Sequence, residues 1–94
     1  MKFAKGTAGT VTIDPGPPGG KTPAVTLTFP DPTDPNATSV NFIDFYNSGT
    51  SVTITANATT GTATIGGDAT GAGNPPAGTV QVGPNDKSVT VTVK

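Results

Sequence analysis

Apolar positions in this chain recur mostly at every second residue, in short runs separated by Gly, Pro, Asn and Asp. A period of two lines one face of a pleated strand. Val11 and Ile13 follow it in 10–13, and Val25, Leu27 and Phe29 follow it in 24–29. Val52, Ile54 and Ala56 follow it in 52–56, and Val89, Val91 and Val93 in 88–93. Weaker runs lie at 62–65 and 80–82. The run Val40-Asn41-Phe42-Ile43-Asp44-Phe45-Tyr46 is different, because it is apolar on both faces. Val40, Phe42 and Tyr46 point one way, while Ile43 and Phe45 fall out of alternation with them. It holds three of the five aromatic side chains, and aromatics bring the largest buried area per residue. It is therefore expected to be the central strand.

The intervals between these runs read as turns and loops. Asp14-Pro15-Gly16-Pro17-Pro18-Gly19-Gly20 and Asp31-Pro32-Thr33-Asp34-Pro35-Asn36 are too rich in Pro and Gly for helix or central strand. Asn47-Ser48-Gly49-Thr50 reads as a hairpin turn. Residues 66–78 form another Gly/Pro-rich loop, and 83–87 turn into the last run. No segment has a helical period. Seven short strands in 94 residues predict an all-β fold, a small immunoglobulin-like β-sandwich of about seven antiparallel strands. Residues 1–9 are expected to be a flexible N-terminal arm and 10–94 the domain.

Residues 42–93 resemble the second half of many bacterial and phage immunoglobulin-like domains. In those, a strand ends in an Asn-x-Gly turn, a Val-Thr-Ile-type strand follows, and a Pro-containing turn leads into a final Val-Thr-Val strand. The matching residues are Asn47-Ser48-Gly49, Val52-Thr53-Ile54, Gly83-Pro84-Asn85 and Val89-Thr90-Val91. The likeness covers just over half the chain. It implies the sandwich fold and a structural or adhesive role, and it brings no catalytic residues.

Composition narrows the chemistry. The chain has nineteen Thr, thirteen Gly and ten Pro, and it has no His, Cys, Arg, Glu or Trp. Thr suits a pleated surface, and the Thr-x-Thr pairs at 10–12, 26–28, 53–55, 62–64 and 90–92 are expected on the outward faces of strands. Without Cys there is no disulfide or thiolate metal site. Without His, the four Ser residues have no imidazole to activate them, so no catalytic residue is assigned and no enzyme is expected. Asp31, Asp34 and Asn36 offer oxygens of the kind Ca²⁺ takes, but Asp and Asn beside Pro make turns. No metal or cofactor is assigned.

The net charge of −1 argues against nucleic acid as a partner. Nothing approaches a membrane span, and Met1-Lys2-Phe3-Ala4-Lys5-Gly6 lacks the apolar run of a signal peptide. Charge is unevenly spread: Lys2, Lys5 and Lys21 lie in the first thirty residues, while 31–86 carry five Asp and no Lys. A partner protein is therefore expected to meet the arm and the loops 14–23 and 30–39, with Lys2, Phe3, Lys5, Lys21, Asp31 and Asp34 as contacts. The expected role is a structural protein of a phage virion, a capsid decoration protein binding the major capsid protein or copies of itself. A homo-oligomer would offset the small core. The alternatives are an extracellular adhesin or carbohydrate-binding module and a phage tail or fibre domain.

Overall fold

The computed structural model describes residues 1–34, 36–69, 72–73 and 75–94. Its strands are β1 (Lys2–Phe3), β2 (Ala8–Asp14), β3 (Val25–Phe29), β4 (Ser51–Thr60), β5 (Ala63–Gly67), β6 (Ala72–Gly73), β7 (Pro76–Gln81) and β8 (Val89–Val93). No helix occurs among the described residues. A five-stranded sheet in the order β3-β2-β4-β7-β6 faces a three-stranded sheet in the order β1-β8-β5. The chain is a small all-β sandwich, as its alternation predicts.

The core is made by the alternating positions themselves. Val11 and Ile13 of β2, Phe29 of β3, Val52, Ile54 and Ala56 of β4 and Val80 of β7 are buried from the larger sheet. Phe3, Ile65, Val91 and Val93 meet them from the smaller sheet. The opposite face of the larger sheet is hydroxylated. Thr12 lies between Thr26 and Thr55, and the Thr53 and Thr79 hydroxyls stand 3.3 Å apart. Here the Thr-x-Thr pairs do line the outward face, where a β-branched hydroxyl side chain packs against cross-strand neighbours and stays wet.

The larger sheet carries one irregularity. The β2–β4 register shifts between Ala8 and Gly9, an extra residue of the kind that makes a bulge. Gly9 sits there at φ 155°, and a Cβ on it would collide with the Asn57 carbonyl oxygen and come within 2.8 Å of the Phe29 ring. Only a residue without a side chain allows the backbones that close an approach.

The run 40–46 is not a central strand, which overturns the expectation from its aromatic content. It forms no strand at all. Val40, Phe42 and Tyr46 do point inward and pack at half-burial against the core. Ile43 and Phe45, however, are 89% and 88% exposed. A sandwich has two layers, so every strand keeps one solvent face. A segment apolar on both sides has nowhere in a chain this small to bury the second. The turn that follows is correspondingly no hairpin. Gly49, at φ 90°, donates through its N–H to the Val82 carbonyl oxygen and turns the chain into β4 of the larger sheet.

The N-terminal nine residues are not an arm apart from the domain. Lys2 and Phe3 pair with Thr92 and Val93 of β8, in parallel rather than antiparallel register. Phe3 is only 5% exposed, with its ring 5.5 Å from that of Phe29. Ala8 and Gly9 already belong to β2. One large aromatic is enough to hold a short terminal segment in a core otherwise made of small aliphatics.

Candidate protein-binding surface

The register sorts the six expected contact residues by position. Gly9 pairs with Phe29 at one end of the larger sheet and Ile13 with Val25 at the other. Asp31 and Asp34 follow Phe29, at the first end. Lys2, Phe3 and Lys5 lie toward that same end, since Phe3 pairs with Val93 and Val93 with Ala63, just after the β4–β5 turn. Lys21 belongs to the loop between Asp14 and Val25, at the opposite end. The six do not make one patch.

Their individual settings differ as well. Phe3 is in the core, so its ring is covered by the fold itself and is no contact for a partner. Lys2 and Lys5 are exposed and line two shallow grooves beside β1, one bounded by Ser39 and Lys94 and the other by Pro30 and Asn36. Asp31 and Asp34 spend their carboxylates on their own turns. Asp31 Oδ1 accepts the Thr33 N–H at 2.9 Å and the Thr33 hydroxyl at 2.7 Å. Asp34 Oδ1 accepts the Asn36 N–H at 3.2 Å. The Thr33 hydroxyl, then its N–H, holds the Asp31 carboxyl below its ordinary value of 3.8. Among the described residues no group of three or more acidic side chains could hold a metal ion.

The surface that does stand out is the segment joining the two ends. At its start, Ser39 bridges Lys2, the Phe3 N–H donates to the Thr38 carbonyl oxygen, and the Val40 N–H donates to the Met1 carbonyl oxygen. The Met1 amine in turn donates to the Val40 carbonyl oxygen at 2.8 Å. Partial burial, and then the charge of Lys2, lower this amine from its ordinary 8.0. At the far end the Asn47 N–H donates to the Pro18 carbonyl oxygen at 2.9 Å. The Tyr46 hydroxyl donates to the Pro15 carbonyl oxygen at 2.9 Å. Burial, and then the Asp44 carboxylate, raise that phenol above 10.0. Between these two ties the Phe45 N–H is capped by Asp44 Oδ1 at 2.7 Å. Among the described residues, the N–H groups of 41–44 make no backbone hydrogen bond.

Ile43 and Phe45 thus sit on a segment pinned at both ends, with their side chains in water. Among the described residues they are the exposed large hydrophobics. The signal in the sequence is the second apolar face of 40–46, which marks a candidate contact surface and not a buried strand. No protein-family model, curated protein or solved structure matches this chain.

Proposed function

We propose that this chain is a non-enzymatic structural protein of a phage particle, a decoration protein that seats on the outer capsid surface. The observation that carries a contact role is the joint exposure of Ile43 and Phe45 on a segment tied at both ends. Their side chains offer roughly 300–400 Å² of apolar surface, the size of the largest patch on an ordinary monomer and often functional. Because the segment is already held, little ordering cost is left for binding.

One such patch is small beside the roughly 800 Å² that each partner contributes to a standard interface. Many copies on a repeating lattice gain by avidity what one copy lacks, and a capsid is such a lattice. The residue inventory, without His, Cys, Glu or Arg, favours binding over turnover. A carbohydrate-binding role is less well served. Tyr46, the one plausible sugar platform, is half-buried with its hydroxyl engaged by Pro15.

Gradient sedimentation of a lysate of the source cells after particle release, with the chain detected by mass spectrometry, tests the proposal. The chain is expected in the particle fraction, at regular positions on the capsid in electron micrographs. Recovery in the cell-envelope fraction, or as one repeat of a longer surface polypeptide, would replace it with the adhesin reading. Density confined to the tail would make it a tail or fibre domain.

A further inference from the structure

We infer that residues 40–46 form an intermolecular strand, pairing antiparallel with the same segment of a second copy about a two-fold axis at Ile43. This presupposes the contact role proposed above and adds the identity of one partner. Val40, Phe42 and Tyr46 lie on one side of the segment and Ile43 and Phe45 on the other, as in a strand, and its aromatic content suits one. Within one copy no strand among the described residues lies beside it past Val40, where its pairing with Met1 ends. Its N–H groups at 41–44 are without backbone partners among the described residues. An unpaired backbone edge with apolar side chains is a template for another edge.

Charge excludes one register, and overlap of the whole run 40–46 selects another. Asp44 is the only charged side chain between Asp34 and Asp68. A two-fold axis at Asp44 would set Asp44 directly opposite Asp44, which is destabilising. An axis at Ile43 instead sets Ile43 against Ile43, Asn41 against Phe45, Phe42 against Asp44 and Val40 against Tyr46. Opposed residues in an antiparallel pair share a face, so this register keeps both cores on one side. It also gathers both Ile43 and both Phe45 side chains on the other. The smaller sheets of the two copies then continue through β1 and 40–46 into one another.

Area selects the strength. The four side chains lie side by side on the outward face and cover one another only in part, so the pair buries less than the roughly 1,200 Å² at which specific, stable interfaces begin. The pair is therefore expected to be a weak dimer that forms only at high protein concentration. A net charge of −1 per copy offers little repulsion to oppose it.

The natural absence of cysteine makes the test clean. In an antiparallel pair, directly opposite Cα atoms lie about 4.5–5.5 Å apart, inside the range a disulfide accepts. Oxidation of purified Ile43→Cys is expected to give a covalent dimer at least ~10-fold faster than oxidation of Thr26→Cys, which is exposed on the other sheet. Sedimentation equilibrium of the unmodified chain up to about 1 mM is expected to show mass rising from 9.2 kDa toward twice that value. Phe45→Asp is expected to weaken the dimer by at least ~10-fold. A monomer across that range, or equal oxidation rates for the two cysteine variants, overturns the inference. A monomer that still sediments with particles would leave the capsid role standing without the pairing. A dimer that never does would leave the pairing standing and remove the capsid role.

Discussion

The Phe3 ring lies 5.5 Å from the Phe29 ring, inclined by 33°, and both are buried in the space between the two sheets. This contact couples the N-terminus to the edge of the larger sheet. Phe3→Ala is expected to cost about 3–5 kcal/mol, the usual range for a large aromatic removed from a core. Urea denaturation followed by circular dichroism measures it. A loss below about 0.5 kcal/mol would show that the N-terminal segment is detached in solution.

Tyr46→Phe removes the hydrogen bond to the Pro15 carbonyl oxygen and leaves the ring. The expected loss is about 0.5–1.5 kcal/mol. The same phenol governs the alkaline limb. Its value is raised above 10.0 in the fold by burial and by Asp44, so the folded state favours the protonated form. That contribution is complete below pH 10.0 and is lost as pH rises through the raised value. Tyr46 is the single tyrosine, so ultraviolet titration reads it directly. A phenol titrating at or below its ordinary value would contradict the packing described for it.

The Met1 amine acts in the other direction. Burial lowers its value from 8.0, so the unfolded chain binds the proton more tightly than the folded one. Stability is expected to rise with pH through the interval from the lowered value up to 8.0. Acetylating the amine should flatten that rise, as a comparison of urea midpoints across the interval would show. An unchanged slope would mean that the amine is fully solvated.

Gly9→Ala forces a Cβ against the Asn57 carbonyl and the Phe29 ring. The expected destabilisation is roughly 2–4 kcal/mol. Gly83→Ala meets nothing within 4 Å and should fall within about 0.5 kcal/mol of the parent. Equal melting temperatures for the two variants would show that the bulge relaxes freely.

Ile43→Ser and Phe45→Ser should leave stability within about 0.5 kcal/mol, since both side chains are already in water. If either variant lost more than about 1.5 kcal/mol in urea denaturation at a concentration where the chain is monomeric, the side chain would have to be packed within the single copy.

Strand content was legible in the sequence because burial in a two-layer sandwich selects every second residue, and Val25-Thr26-Leu27-Thr28-Phe29 or Val89-Thr90-Val91-Thr92-Val93 states that selection openly. β1 was not legible. Two residues carry no period, and Phe3 is placed by a ring 26 positions away in the chain. The Asp31 and Asp34 carboxylates were legible as turn formers but not as contacts, since their nearest donors are their own neighbours.

The sequence by itself determined the all-β class, the inward faces of the main strands, and that Val40, Phe42 and Tyr46 share one side of their run. These follow from local alternation, which survives any arrangement of the sheets. Only the tertiary structure decided which apolar residues stay in water. Burial of a second face depends on how many layers the whole chain can build. Nothing in the described fold pairs with the segment beyond Val40, and Ile43 and Phe45 are left outside.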